Sequence, residues 1–440
     1  MNLKEGKNYF KNAGLLVPEI ILPRPSVDLS KWAVVACDQF TSSPDYWENL
    51  SAFAGCAPST LRLILPEKYL SGTSHDTAEM IEGCNDSMNS YLESGAVFDE
   101  PFEGLVYVKR TLPGGLVRTG FLAALDLERY DFRPGSGNLI RATEQTVLSR
   151  IPPRAEIRKN APLELPHALV LVDDRDFKLD SLFEQAVNGL KPRYSFELNA
   201  GGGHIEGYAI TDENVYVETA AILEQLSHKS VNGSFIYAVG DGNHSFAAAK
   251  AHWDRLKQNG APENHPARFM LCEIDNVNCP GIVFKPIHRI LKNADPGLLE
   301  DLIFAYFEDK ASISERQDGS ISIDKETNTS ELPYHKIPVF TKDTAFDLFI
   351  DKNAYPLAAG AVQGFLDAYF DPAGIDYIHG FEELVKTVND IEGSAGFVLP
   401  RPEKSDLFAT VERGEVLPRK TFSMGDAETK RYYLEARKIL

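Results

Sequence analysis

The sequence is poor in positive charge, in cysteine and in long apolar runs. Its 440 residues contain 45 Lys and Arg against 64 Asp and Glu, which gives a formal net charge of -19 at pH 7. A protein that binds nucleic acid non-specifically needs a basic surface, and so does one that docks on an anionic membrane. The charge therefore argues against both classes of protein. A few local cations can still hold a small phosphorylated ligand in an acidic chain.

The five cysteines provide no metal-binding or redox motif. None lies in a Cys-x-x-Cys pair, so a zinc ribbon and a thioredoxin-like motif are excluded. A sparse, odd set of cysteines is typical of reduced thiols, and we expect a cytoplasmic protein. The first residues lack the apolar core of a signal peptide. The chain also lacks the run of about 18 uncharged apolar residues that a membrane-spanning helix needs.

Short apolar runs of strand length alternate with helical patterns along the chain. The predicted strands are the runs 32–37, 105–108, 167–172, 235–239, 269–274, 281–284 and 396–400. The predicted helices span about 76–93, 179–188, 212–226, 245–258, 296–307 and 381–390, with a further core helix within 354–370. This alternation predicts a mixed α/β (α+β) fold with large sheets.

Two features of the sequence bear on its division into lobes. The segment 291–297 contains a proline that starts a new helix, so we predict an N-terminal lobe over 1–291 and a C-terminal α/β lobe over 292–440. The polar stretch 314–331 is predicted to be a surface hairpin or loop. The chain has no internal repeat, which argues against solenoids and propellers.

The sharpest local signal is a strand, a glycine turn and a helix within 235–260. The turn has the sequence Gly-Asp-Gly-Asn-His-Ser at 240–245, and an Ala-rich helix follows at once. Glycines let the backbone pass close to a ligand, and the first N–H groups of a helix attract anions. Asp241 could hold a metal ion or orient an imidazole, and His244 could donate to a phosphate or act as acid and base. An ordinary turn with an Asn or Ser helix cap explains the same residues.

Basic residues are concentrated between positions 141 and 159. They are Arg141, Arg150, Arg154, Arg158 and Lys159. Glu144 and Glu156 are the acidic residues that oppose them there. Such a segment could cradle phosphates, with Glu144 as a base or metal ligand and Thr146 as a hydroxyl donor. A solvated helix face beside the double proline at 152–153 is the alternative interpretation.

A third group of residues follows the predicted strand 281–284. Lys285, His288 and Arg289 place two cations around a histidine, which would suit a polyanion, although such residues are often structural. Walker A, His-Glu-x-x-His, Gly-x-Ser-x-Gly and dinucleotide-binding motifs are absent from the sequence.

These motifs together resemble a bacterial and archaeal family, domain of unknown function 1015, and the resemblance covers nearly the whole length. The family has Ala-Asp-Gly-His-His-Arg-Tyr after a strand, where this chain has Gly-Asp-Gly-Asn-His-Ser-Phe at 240–246. Its Arg-x-His-Glu-x-Thr and Pro-Thr-His-Arg motifs correspond to 141–146 and 286–289. A Tyr-x-His segment and a late Pro-x-Lys-Ser/Thr motif correspond to 377–379 and 418–421.

The chain departs from the family pattern at three positions. Asn243 and Thr143 each replace a histidine, and Ser245 replaces an arginine. Two imidazoles and one cation are therefore missing. If the family is catalytic, this branch either uses another substrate or has lost the chemistry.

The Asp-Gly-His-His-Arg element of the family is in turn similar to the signature of the ParB and sulfiredoxin-like superfamily, which includes partition-protein CTPases and free-serine kinases. The resemblance implies a ParB/sulfiredoxin-like core elaborated by insertions. It also implies nucleotide-dependent phosphoryl transfer or nucleotide hydrolysis with a divalent ion. The chain has no helix-turn-helix pattern or basic arm, so we do not expect the DNA-binding role of partition proteins.

The resulting hypothesis is a cytosolic small-molecule kinase or nucleotide hydrolase that acts on an anionic or phosphorylated ligand, with Mg²⁺ and a nucleoside phosphate as cofactors. The predicted catalytic residues are Glu144, Asp241, His244 and His288. The predicted nucleotide-binding residues are Gly240, Gly242, Asn243, Ser245, Arg141 and Arg289. Asp241 and Glu144 would share the metal ion. The alternatives are a non-catalytic regulatory protein that binds a phosphate ligand, and a metal-dependent hydrolase that uses Asp241, His244 and His288.

Overall fold

A computed structural model describes residues 8–40, 44–66, 69, 75–316, 332–418 and 420–440. The chain divides into two compact units, each of which is discontinuous in sequence. The first unit runs to Val283 and also contains Val411–Val416 and Gly425–Leu440, whereas the second contains Phe284–Thr410 and Leu417–Met424. The strand at 284–291 thus belongs to the second unit, while the sequence had placed it in the first lobe. Residues 317–331 of the predicted loop, and Arg419 of the late family motif, lie outside the described residues.

Helices occur throughout both units. In the described residues they are α1 (Leu29–Trp32), α2 (Pro44–Ala54), α3 (His75–Ser94), α4 (Ile151–Arg158), α5 (Lys178–Ala186), α6 (Glu213–Gln225), α7 (Asn243–Gln258), α8 (Pro296–Phe307), α9 (Ala358–Tyr369), α10 (Phe381–Asp390) and α11 (Lys404–Glu412). Within the part of the chain that the structure describes, none of these helices has the length and apolar character needed to cross a membrane.

The strands are mostly short. They are β1 (Tyr9–Phe10), β2 (Leu15–Leu16), β3 (Glu19–Ile20), β4 (Phe102–Glu103), β5 (Leu105–Thr111), β6 (Val117–Asp126), β7 (Tyr130–Asp131), β8 (Ile140–Ala142), β9 (Leu163–Glu164), β10 (Leu169–Val172), β11 (Tyr194–Leu198), β12 (Gly203–Ile210), β13 (His228–Ser230), β14 (Gly233–Phe235), β15 (Tyr237–Asp241), β16 (Phe269–Asn276), β17 (Phe284–Leu291), β18 (Ala311–Glu315), β19 (Tyr334–Phe340), β20 (Ala345–Asp351), β21 (Ile375–His379), β22 (Ala395–Phe397), β23 (Phe422–Met424) and β24 (Arg437–Lys438). With the helices, they confirm the predicted mixed α/β fold.

The first unit is built around one large mixed sheet with the order β11-β12-β5-β6-β16-β10-β15-β8-β7. Strands β11 to β16 in this order pair antiparallel, and β10 is parallel to β16. Strand β15 pairs antiparallel with β10 and parallel with β8, so the glycine turn at its end lies beside the end of β8. This pairing brings the segments after residues 142 and 241 to one edge of the sheet.

Both faces of this sheet are buried, which explains why its strands appear in the sequence as continuous apolar runs. Along β16, Met270, Cys272 and Ile274 face one core cluster with α5, α6 and α7. Leu271 faces a second cluster, which includes Trp32 of α1 and four residues of the C-terminal segment. These four are Tyr432, Leu434, Ala436 and Ile439.

The second unit has its own sheet, with the order β18-β20-β19-β22-β17-β21 and with β23 added to β17. All its described pairings are antiparallel. Its core includes Phe307 of α8, Phe365 of α9 and Phe397 of β22. It is therefore a mixed α/β unit with an independent core.

Several strand predictions were wrong in their bounds or in kind. The run 32–37 is not a strand: α1 ends at Trp32, and Val34 makes an isolated bridge to Tyr433. The run 281–284 contributes only its last residue to β17, so Lys285, His288 and Arg289 lie within a strand and do not follow one. These runs are apolar because they are buried. A buried segment forms a strand only where another strand lies beside it to pair with its backbone.

Candidate functional site

The glycine turn after β15 has a backbone that requires glycine at Gly242. This residue has a φ of 88° and directly precedes α7. A Cβ atom there would lie 2.9 Å from the Cβ of Ala168, so the turn packs tightly on the start of β10. Gly242 is the N-cap residue of α7 and, having no side chain, makes no side-chain cap bond to the first helical N–H groups. The sequence had predicted this turn, although α7 begins two residues earlier than the predicted Ser245.

The segment after β8 is hydrogen-bonded to this turn. Thr143 donates its N–H to Oδ1 of Asn243 at 3.3 Å and its hydroxyl to the carbonyl of Val239 at 2.6 Å. Val147 donates its N–H to Nε2 of His244 at 3.1 Å. Glu144 is half-buried between these two anchors. The structure thus brings together the two segments that carry most of the predicted site residues.

These contacts fix two of the predicted site residues in orientation. The amide of Asn243 accepts from Thr143 and donates to the carbonyl of Val239, so it joins the turn to β8 and β15. Because Nε2 of His244 accepts a hydrogen bond, a neutral imidazole there carries its proton on Nδ1. The side chain of Asn243 is therefore part of the framework that holds His244 and Glu144 in place.

A lysine from the C-terminal segment completes the turn. Nζ of Lys430 lies 3.1 Å from Oδ2 of Asp241, and Oδ1 of Asp241 accepts the N–H of Gly242 at 2.9 Å. Lys430 is only 8% exposed, so its ammonium is largely removed from water and needs a counter-charge. Sequence reasoning missed Lys430, because it is distant from the turn in the chain and belongs to no local motif.

His167 is a second residue that the sequence analysis missed. Its Nε2 lies 2.7 Å from the hydroxyl of Ser245, and its ring stacks on Tyr433 with centroids 5.1 Å apart. Burial lowers the pKa of His167; the charge of Asp241 opposes this shift, and Arg158 and Arg154 add to it. The imidazole is thus neutral at neutral pH. The one feature of the sequence that could have drawn attention to His167 is its place at the start of the apolar run 167–172.

The basic residues of 141–159 separate into different environments. Arg141 donates to the carbonyl of Asn138 at 3.0 Å and to the hydroxyl of Ser230 at 2.8 Å, and its guanidinium lies 5.0 Å from the ring centre of Phe235. Within the described chain, the contacts of this side chain do not include the turn. Arg158 pairs with the buried carboxylate of Glu164 at 2.6 Å.

The remaining two predicted residues lie inside the second unit, on β17. His288 accepts the N–H of Leu399 on Nδ1 at 3.1 Å, and burial, with help from Arg289 and His379, lowers the pKa of His288 to about 4. Arg289 is fully buried and donates to Oε1 of Gln363 at 2.8 Å. Each therefore has a role in the core of its own unit, and their part in the site stays a prediction.

The donor set suits a phosphate better than a protein-enclosed metal. In the described part of the chain, no three His, Cys, Asp or Glu side chains are grouped so that they could hold a metal ion. Mg²⁺ usually takes one or two carboxylates together with water and substrate phosphates, and Asp241 and Glu144 fit that smaller requirement. The uncapped start of α7 and the ammonium of Lys430 supply donors of the kind that bind phosphate oxygens.

Comparisons with known proteins place the chain beside a small group of structures. No curated protein matched the sequence. The chain is similar to a free serine kinase in complex with AMP, with 12% identity, 74% of this chain and 94% of that chain covered, and a TM-score of 0.36. The chain is also similar to a mutant free serine kinase in complex with ADP, with 12% identity and a TM-score of 0.37. That match covers 74% of this chain and 94% of the kinase chain. A conserved hypothetical protein from Pyrococcus furiosus is similar with 12% identity and a TM-score of 0.33. That match covers 71% of this chain and 90% of the other chain.

A family model provides the assignment. The model described as protein of unknown function (DUF1015) matches residues 21–369, which include the glycine turn, the segment 141–147 and β17. This range is more than half of the 440 residues. The chain therefore belongs to the DUF1015 family.

Proposed function

We propose that the chain is a cytosolic phosphotransferase or hydrolase that uses a nucleoside phosphate, and that the turn 240–245 with the start of α7 binds the phosphate groups. The observation that carries this proposal is the uncapped N-terminus of a 16-residue helix that directly follows a glycine turn. Its N–H groups and the helix dipole favour an anion. Ser245 adds a hydroxyl in the first turn of the helix, held by His167 at 2.7 Å.

The anchored segment after β8 would supply the base. Glu144 lies between Thr143 and Val147, which are both hydrogen-bonded to α7, so its backbone is fixed relative to the turn. A carboxylate in this position can accept the proton of an acceptor hydroxyl or of water. A bound nucleoside phosphate would supply the phosphoryl group, and Mg²⁺ would neutralise the charge that develops on it. Asp241 would hold that ion, and Glu144 would be its second ligand only if it does not act as the base.

A thermal-shift experiment tests the proposal. We expect ATP, ADP or CTP with Mg²⁺ to raise the melting temperature, because a ligand at 100 times its Kd stabilises a protein by about 2.7 kcal/mol. Adenosine is the control ligand, since it carries the base and sugar without phosphate. Absence of a shift with every nucleotide would reject the proposal.

A substitution separates binding from chemistry. Glu144→Gln keeps the size of the side chain and removes its basicity, so we expect a normal nucleotide shift with turnover reduced by at least about 100-fold. Glu156→Gln is the matched control, because Glu156 is exposed on α4 and pairs with Lys159 at 2.6 Å. Turnover retained in Glu144→Gln would remove Glu144 from the mechanism.

A non-catalytic regulatory protein is the second candidate function. It is favoured by Asn243, which stands where the family pattern has a histidine and whose amide is engaged with Thr143 and Val239. Nucleotide binding by the wild-type chain, without hydrolysis or transfer to any acceptor and without an effect of Glu144→Gln, would support this candidate.

A further inference from the structure

We infer that Lys430 is a phosphate-binding residue of this site and that the C-terminal segment 428–433 is built into it. The inference rests on the proposed function and extends it to a residue outside every motif of the sequence. Lys430 is 8% exposed, and its ammonium lies 3.1 Å from a carboxylate oxygen of Asp241, in the middle of the glycine turn. Asp241 itself is 34% exposed at its side chain, so the ion pair can be reached from solvent.

The backbone that carries Lys430 is held rigidly. Arg110 donates to the carbonyls of Glu428, Thr429 and Lys430 at 2.5, 3.1 and 2.5 Å. Arg118 donates to the carbonyl of Thr429 at 2.9 Å. Two buried guanidinium groups thus fix the segment immediately before Lys430. A positively charged group that is positioned before the ligand arrives binds it with less loss of entropy.

The residues that follow Lys430 in the chain are fixed as well, and they contact the glycine turn at a second point. Arg431 lies 2.5 Å from Oε2 of Glu273, in the buried interior of the first unit. Tyr433 then stacks on His167, which contacts the hydroxyl of Ser245 at 2.7 Å. The segment therefore contacts both the carboxylate before α7 and the residue that supports the first turn of α7.

The charges explain why a lysine is needed here. Asp241 alone would repel a phosphate at the start of α7, because like charges a few ångströms apart disfavour each other. The ammonium offsets that charge, and its three N–H donors can serve Asp241 and a phosphate oxygen together. The ion pair thereby offsets the charge of the carboxylate without closing the turn to an anion.

The test measures ADP binding by calorimetry in EDTA, so that no metal ion takes part. We expect Lys430→Met to weaken binding by roughly tenfold or more, the size of a lost charge-assisted hydrogen bond. The matched control is Lys257→Met, which makes the same change in net charge. Lys257 pairs with Glu128 at 3.0 Å and is half-exposed near the other end of α7. Lys257→Met should bind ADP as the wild type does, and equal loss in both variants would overturn the inference.

A second comparison uses the Asp241→Asn background. Here the double variant with Lys430→Met contains neither charge of the pair, so neither Asp241 nor Lys430 is left without its counter-charge. If Lys430 contacts phosphate, the double variant binds ADP roughly tenfold more weakly than Asp241→Asn. If Lys430 acts only by neutralising Asp241, the two variants bind equally and the inference is overturned. Failure of the wild type to bind ADP or ATP, with or without Mg²⁺, would instead reject the proposed function.

Discussion

At the scale of single residues, the turn before α7 shows what local sequence can and cannot predict. Gly242 and Asp241 were identifiable because a glycine turn between a strand and a helix is a short-range pattern. Lys430 and His167 were not, because their contacts with Asp241 and Ser245 span 189 and 78 positions of the chain. Pairing over such distances is decided by the packing of the whole sheet, and no spacing rule encodes it.

Gly242→Ala tests the demands of the turn. An alanine at a φ of 88° is strained by about 1–2 kcal/mol, and its Cβ would also lie 2.9 Å from Ala168. Overpacking of this kind costs a further amount of about 1–3 kcal/mol in well-packed positions. We expect a total loss of about 2–5 kcal/mol in the free energy of unfolding from urea titration, together with weaker ADP binding.

The control for this substitution lies at the other end of α7. Gly260 also has a φ of 88°, but a Cβ added there would meet no atom within 4 Å. Gly260→Ala therefore contains the backbone strain without the contact, and it should lose only about 1–2 kcal/mol and keep ADP binding. Equal losses in the two variants would show that the close approach to Ala168 is unimportant.

At the scale of elements, helices were easier to predict than strands. The predicted bounds of α8 and α10 agree with the structure, and α8 carries a local start signal: Asp295 caps it through the N–H of Gly297, and Pro296 is its first residue. The run 32–37 was apolar because Trp32, Val34 and Val35 are buried. A helix contains its own hydrogen bonds, whereas a strand needs a partner that a single sequence does not name.

Strand β16 carries an acidic pair that no local pattern explains. Glu273 and Asp275 lie two residues apart, on one face of a fully buried strand. Glu273 faces Arg431 at 2.5 Å and Arg118 at 3.5 Å, while the nearest described cation to Asp275 is Arg118 at 3.9 Å. Burial, and then the charge of Glu273, raise the pKa of Asp275 well above its ordinary value. Asp275 therefore keeps its proton to a higher pH in the folded protein than in the unfolded chain.

This protonation gives a pH dependence of defined sign. As the pH rises above 3.8, the ordinary pKa of Asp275, the unfolded chain releases the proton that the folded chain retains, so stability falls until the pH passes the raised pKa. Asp275→Asn removes this contribution, and we expect its free energy of unfolding to fall less steeply than that of the wild type between about pH 5 and pH 8. Urea titrations across that range measure the two slopes.

The exposed Asp45 on α2 provides the control for the pH experiment. Asp45→Asn makes the same chemical change away from the core, so its slope should match that of the wild type. Groups with shifted pKa values away from Asp275 contribute equally to all three proteins and cancel, whereas Glu273 interacts directly with Asp275, so the difference reports this acidic pair. Identical slopes for Asp275→Asn and the wild type would mean that Asp275 is ionised in the folded protein.

At the scale of the whole molecule, the first unit is completed by the end of the chain. The segment 425–440 supplies Tyr432, Leu434, Ala436 and Ile439 to one of the two core clusters of this unit. It also supplies Arg431, whose guanidinium lies 2.5 Å from the buried carboxylate of Glu273 on β16. The sequence predicted two consecutive lobes because neither feature is visible without the fold. The net charge of -19 likewise gives no sign of the buried arginines Arg110, Arg118 and Arg431.

A chain that ends at Val283 should therefore fail to fold cooperatively. It would leave one face of the large sheet without the four apolar side chains of the C-terminal segment, and burying a leucine or isoleucine such as Leu434 or Ile439 is worth about 1.5–3 kcal/mol. It would also leave Glu273 without Arg431, and breaking a buried ion pair costs about 3–5 kcal/mol. Together these losses approach the whole stability of a typical domain, about 5–15 kcal/mol. Circular dichroism melting and dye binding to exposed apolar surface measure the outcome.

The informative control restores the segment and leaves out the second unit. Gly425 donates its N–H to the carbonyl of Val283 at 2.8 Å, so a short glycine linker can replace 284–424 without moving either end. This shortened chain lacks Val411–Val416 but regains the core residues and Arg431, and we expect it to melt cooperatively where the chain ending at Val283 does not. If both chains melted alike, the C-terminal segment would be an attachment to a unit that folds without it. The inference that Lys430 is rigidly positioned, because its segment is built into the first unit, would then lose its basis.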